Sequence, residues 1–206
     1  MDLFEKSDFE TALKVIRDHV IRTPMEHSRY LSELNGGRVY IKCENEQTTG
    51  SFKLRGACYT ILTLKNIYNT FVTASSGNHG LACSLAFSQT DTTGIIFLPS
   101  GIQKSKLSKL KSTGAKLMFV DGDAVVVEEA ARKYADEHRV KYISPYNDIN
   151  IIRGQGTCGV EILEQCPKVD YVFVTVGGGG LASGVLCAIK AAKPGVKGIV
   201  KISHIK

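Results

Sequence analysis

Short apolar runs alternate with longer segments of helical spacing along most of this chain. Residues 38–43, 69–74, 93–99, 116–120, 141–143, 171–176 and 196–202 read as strands. Between them the spacing predicts helices over 52–64, 81–87, 104–113, 124–138, 159–164 and 181–192. Ser51 is the expected N-cap of the first of these, and Gly114 the expected stop of the third. The run 171–176 is nearly all apolar, as in a strand buried on both faces of a parallel sheet. Strands that alternate with helices imply βαβ units and an α/β fold. No linker stands out, and residues 145–151 read as a crossover.

Composition adds limits. The 206 residues are 43% hydrophobic and 22% charged, which excludes a disordered chain. No apolar run reaches the ~18 residues that a membrane span needs. The start, Met1-Asp2-Leu3-Phe4-Glu5-Lys6, lacks the basic region of a secretory signal. From Tyr171 onward there is no Asp or Glu, and Lys190, Lys193, Lys197, Lys201 and Lys206 carry most of the net +6. Charge gathered at one end is not the basic stripe of a nucleic-acid binder. The lysines of 104–111 read as a solvated helix face. Cys43, Cys58, Cys83, Cys158, Cys166 and Cys187 form no C-x-x-C pair or zinc spacing. They are expected to be reduced thiols of a cytoplasmic protein.

Three segments could carry chemistry. Gly177-Gly178-Gly179-Gly180-Leu181 follows a strand and opens a helix, so its backbone N–H groups and the helix dipole suit a phosphate. It lacks the Walker and dinucleotide patterns. In Thr49-Gly50-Ser51-Phe52-Lys53, a lysine falls in the first turn of a helix. That positive end disfavours the ammonium and suits an amine that forms imines. Ser75-Ser76-Gly77-Asn78-His79-Gly80 brings hydroxyls, an amide and an imidazole to a helix start, a set that suits a carboxylate.

Together with Thr23-Pro24, the run from Lys42 to Ala57 and Gly154-Gln155-Gly156-Thr157, these segments resemble one family in order and spacing. It is the pyridoxal-phosphate enzymes of the tryptophan-synthase-β type, in the branch of serine/threonine dehydratases and serine racemases. The resemblance runs from about Leu13 to Val200. It implies two open parallel-sheet domains. The larger, cofactor-binding domain would comprise 1–68 and 147–206, and the smaller, inserted one 69–146.

The resemblance also implies site roles. The cofactor is pyridoxal 5'-phosphate, with Lys53 forming the imine and moving the Cα proton. Phe52 packs near the ring, Asn78 bonds the ring hydroxyl, and Gly177, Gly178, Gly179, Gly180 and Leu181 hold the phosphate. Ser75, Ser76, Asn78 and His79 surround the substrate carboxylate, and Ser76 matches the second acid/base of the racemases. The expected activity is conversion of L-serine or L-threonine to a 2-oxo acid and ammonia. Two alternatives are racemisation of serine, and a non-catalytic paralogue that acts through a partner. The expected ligand is a small amino acid, with a homodimer left open and no nucleic acid or membrane. Family members run to well over 300 residues, so the larger domain is expected to be incomplete. The acidic residue that binds a metal in some members has no counterpart in 196–206, so no metal is expected.

Overall fold

A computed structural model describes residues 4–202. Residues 1–3 and 203–206 lie outside the described residues. The elements run α1 (Lys6–Ile16), β1 (Met25–His27), α2 (Arg29–Asn35), β2 (Tyr40–Lys42), a 3-10 turn (Glu44–Glu46), α3 (Lys53–Leu64), β3 (Thr70–Ala74) and α4 (Asn78–Thr90). They continue with β4 (Thr93–Pro99), α5 (Lys104–Lys111), β5 (Lys116–Val120), α6 (Ala124–His138), β6 (Lys141–Tyr142), α7 (Ile149–Gln165), β7 (Tyr171–Val176), α8 (Gly180–Ala192) and β8 (Lys197–Ile202).

The fold is α/β with parallel sheets. One sheet has the order β5-β4-β3-β6, all parallel. The side chains of β3 and β4 alternate between its faces. Phe71, Ile96 and Leu98 pack with Ala82, Cys83 and Ala86 of α4. Val72, Ile95 and Phe97 pack with Val127, Ala131 and Ala135 of α6. Both faces are covered, so β4 is a continuous apolar run. Burying one such Phe or Ile side chain stabilises by roughly 1.5–3 kcal/mol.

A second parallel pair, β7-β8, packs Val172 and Val174 against Ala182, Val185 and Ile189 of α8. Its other face departs from the sequence expectation. Tyr171 is 51% and Phe173 74% exposed, so β7 is buried on one face only. β2 also departs from the parallel pattern and pairs antiparallel with β1.

The expected helix at 159–164 is the C-terminal part of the 17-residue α7. Asp148 caps it, accepting from the N–H groups of Asn150 and Ile151. Glycines make α7 a spine between α3 and α8. A Cβ on Gly154 would lie 2.6 Å from the Gly56 Cα, and one on Gly184 would lie 2.6 Å from the Gly156 nitrogen. The expected cap of α3 is also corrected. Phe52 holds the cap position without a side-chain bond, and the buried Ser51 Oγ has no partner among the described residues.

Candidate active site

Strand ends and helix starts gather the three segments. Lys53 is the first residue of α3, half-buried, with Nζ 5.4 Å from the centroid of the Phe52 ring. Nζ donates to the Pro145 carbonyl oxygen at 2.5 Å. Burial holds the amine below the usual lysine range, and the nearby Cys83 sulfur opposes this. The direction matches the sequence expectation, but desolvation is the first cause where a helix end was expected.

Pro145 belongs to a segment, 143–147, that touches all three loops. Its Ser144 hydroxyl accepts from the N–H groups of Tyr146 and Asn147 at 3.4 and 3.0 Å, which folds the chain into a tight turn. The turn presents Pro145 to Lys53 and lays Tyr146 over the glycine loop. A Cβ on Gly178 would lie 3.0 Å from the Tyr146 Cβ, with the ring closer still. A Cβ on Gly180 would lie 2.9 Å from the Tyr146 carbonyl oxygen. Sequence reasoning took this stretch for a connection only. The signal available was the S-P-Y-N turn directly after a strand.

Residues 75–77 leave β3 and open α4. Ser75 and Ser76 are half-buried and Asn78 is exposed. Ser75 Oγ accepts from the Gly77 N–H at 3.3 Å. A Cβ on Gly80 would collide with the Ser75 carbonyl oxygen, so only glycine lets this loop fold onto the helix start. The first N–H groups of α4 have no partner within the helix and face outward from the sheet end.

His79 differs from the arrangement that the resemblance implies. Its ring is 3% exposed and turned inward, beneath the loop. With Nε2 protonated it donates to the Ile143 carbonyl oxygen at 3.4 Å, and the Cys83 sulfur lies 3.5 Å away. The Thr73 hydroxyl donates to the same carbonyl at 2.9 Å. A side chain held there cannot surround a carboxylate in the cleft. What His79 offers the loop is its backbone N–H.

The glycine loop closes the arrangement. Gly179, at φ +87°, caps α8 from the left-handed region, and Ser183 is the first residue to bond back to it. Among the described residues the N–H groups of Gly179, Gly180, Leu181 and Ala182 have no hydrogen-bond partner, and they lie at the positive end of the helix. Beside Gly177 and Gly179 there is open space. A half-buried amine, an open anion cradle and hydroxyls at a second helix start thus share one segment, 143–147. That set can bind a phosphate, react with a carbonyl and hold a carboxylate.

The family model described as "Pyridoxal-phosphate dependent enzyme" matches residues 16–203. The chain is 39% identical over 192 residues to the L-threonine ammonia-lyase of Thermotoga maritima, covering 92% of the chain and 48% of that protein. It is 39% identical over 184 residues to a serine racemase of Arabidopsis thaliana, covering 88% and 56%. The structure of maize serine racemase superposes with a TM-score of 0.89 at 33% identity, covering 95% of this chain and 60% of that one. The chain spans about half the length of the curated relatives it matches.

Proposed function

Because the chain belongs to the pyridoxal-phosphate dependent enzyme family, we propose that the protein is an ammonia-lyase for L-serine or L-threonine, with Lys53 as its reacting amine. The observation that carries this reading is the half-buried Lys53 amine, whose ammonium form is disfavoured, held by the same segment that packs on the glycine loop.

The residues present fit the family's cofactor. The open space beside Gly177 and Gly179 and the free N–H groups of α8 suit its phosphate. When bound, pyridoxal phosphate supplies an aldehyde for an amine and a ring that withdraws electrons from the substrate Cα. In this reading Gly177 to Leu181 hold the phosphate, Phe52 lies beside the ring and Asn78 meets the ring hydroxyl. Ser75, Ser76 and the helix-start N–H groups of Asn78 and His79 orient the substrate carboxylate. Lys53 Nζ would be the base that takes the Cα proton. Elimination of the β-hydroxyl as water would leave an enamine, whose imine tautomer takes up one water to give the 2-oxo acid and ammonia. Residues 69–146, which hold the four-stranded sheet, form the smaller domain of this scheme.

Ser76 supports racemisation as a second reading. It is half-buried in the loop at the start of α4, and the matched relatives include serine racemases. The first proton transfer is common to both reactions, so one experiment addresses both. Wild type mixed with pyridoxal phosphate should develop an absorbance band at about 410–420 nm. It should also release a 2-oxo acid from L-serine or L-threonine. Lys53→Ala should lose both. Ser76→Ala should cut D-serine formation far more than 2-oxo acid release if racemisation operates. A wild-type chain without the band, or a Lys53→Ala variant that keeps it, refutes the assignment of Lys53.

A further inference from the structure

The helix that carries Lys53 starts without any of the usual devices. Phe52 makes no side-chain cap, the first turn holds no acidic residue, and the Thr49 and Ser51 hydroxyls, buried just before it, have no partner among the described residues. Two residues further on, Arg55 is fully buried. Successive helix residues turn by about 100°, so the Lys53 and Arg55 side chains leave α3 on opposite sides.

Every donor of the Arg55 guanidinium is used. Nε and Nη2 donate to the two carboxylate oxygens of Glu44 at 2.8 and 2.7 Å. Nη1 and Nη2 donate to the two oxygens of Glu161 at 2.8 Å each. Nη1 also reaches the Thr157 hydroxyl at 3.2 Å, and Nη2 the Ile21 carbonyl oxygen at 3.4 Å. Lys42 balances the second carboxylate, with Nζ 2.6 Å from Glu161 Oε2 and 2.7 Å from the Thr23 carbonyl oxygen. Two cations and two anions are therefore buried as a neutral, hydrogen-bonded set. Only a planar fork can serve two carboxylates at once in this way.

The partners are what give the set its meaning. Glu44 lies in the turn before the loop that leads into Lys53, and Glu161 lies on α7. Arg55 thus pins the first turn of α3 both to the chain that enters it and to the helix behind it. Buried ion pairs are weak contributors to net stability, and their clearer effect is to fix a geometry. We infer that Arg55, through Glu44 and Glu161, is a positioning residue that holds the start of α3 so that the Lys53 amine stays in its half-buried place against Pro145. The inference rests on Lys53 being the reacting amine, although its test needs no cofactor.

The readout is the titration of Lys53 itself, followed in the folded chain by competitive acylation over a range of pH and quantified by mass spectrometry. The groups that face Lys53 are Phe52, the Pro145 carbonyl, and His79 and Cys83 of α4. None is changed by the variants. Arg55→Lys keeps the charge, so any shift reports position and not field. The expected result is a Lys53 midpoint raised toward the ordinary lysine value by at least about half a pH unit. Ile189→Val, a loss of packing in a different cluster, is the control for general loosening and should leave that midpoint in place. If Arg55→Lys does not fold, Thr157→Val decides: it removes one acceptor and should shift the midpoint in the same direction by less. A folded Arg55→Lys, or failing that Thr157→Val, with the wild-type midpoint overturns the inference. A wild type that forms no band with pyridoxal phosphate overturns the function and leaves this result standing on its own.

Discussion

Burial pushes the His79 imidazole down to about 3, and the Lys53 cation adds to the effect while the Ile143 carbonyl opposes it. An unfolded chain would hold that proton from about pH 6.5 downward. Between those values the unfolded state binds a proton that the folded state refuses, so folding loses stability as pH falls, by about 1.4 kcal/mol per unit. Glu44 acts in the same direction but lower. Burial raises its carboxyl, and the hydrogen bonds and charge of Arg55 more than offset this, holding it below the carboxylate range. Its stabilisation is present above the ordinary carboxylate value and is lost only as pH drops below that. The interval from pH 6.5 to 5 therefore belongs to His79. Urea unfolding of wild type should lose about 2 kcal/mol across it, and His79→Gln should lose clearly less. Equal losses would mean that the ring is not buried neutral. From sequence alone His79 could be placed at a helix start, but not turned inward. The inward face of α4 is set by the sheet residues it packs on, Phe71, Ile96 and Leu98, which lie outside the local sequence in part.

At the scale of elements, the function depends on where helices begin. The starts of α4 and α8 are both glycine-dependent, for different reasons. Gly80 sits against the Ser75 carbonyl oxygen, and Gly178 and Gly180 against Tyr146, so side chains there would disturb the fold. Gly177 has ordinary backbone angles and open space beside it. Gly177→Ala should leave the unfolding free energy within about 0.5 kcal/mol of wild type. It should nevertheless weaken pyridoxal phosphate binding about tenfold or more, since a methyl group would occupy the approach to the backbone N–H groups. An absorbance titration reads the affinity and a thermal melt the stability. Unchanged affinity would remove the glycine loop as the phosphate site. This cradle was legible because four glycines between a strand and a helix have a local cause. The 143–147 segment was not, because its meaning lies in a bond from Lys53 to Pro145, 92 residues apart. The glycines of α7 misled for a related reason. Gly154 and Gly156 shorten the expected helix to 159–164, and only the packed neighbours α3 and α8 give them a purpose.

For the whole molecule, the sheet β7-β8 is the unbalanced part. Val172 and Val174 are covered by α8, whereas Tyr171, Phe173 and Ile199 on the other face are exposed. Phe173 and Ile199 are register partners, so their side chains stand together on the open face. The sequence reading of a strand covered twice was made for 171–176 and failed there, because among the described residues β7 packs on α8 alone, whereas β4 has α4 and α6 on its two sides. A contiguous apolar face of this kind promotes association in water. The chain should therefore exceed its 22.4 kDa monomer mass in light scattering at high concentration, in a dilution-dependent way. Phe173→Lys combined with Ile199→Lys adds charge to that face while leaving Val172 and Val174 in place. The double variant should scatter as a monomer, with reduced binding of an apolar dye and an unfolding midpoint within a few degrees of wild type. A wild type that stays monomeric at all concentrations would mean that this face is too small or too curved to associate. A double variant that still associates would put the contact elsewhere on the surface.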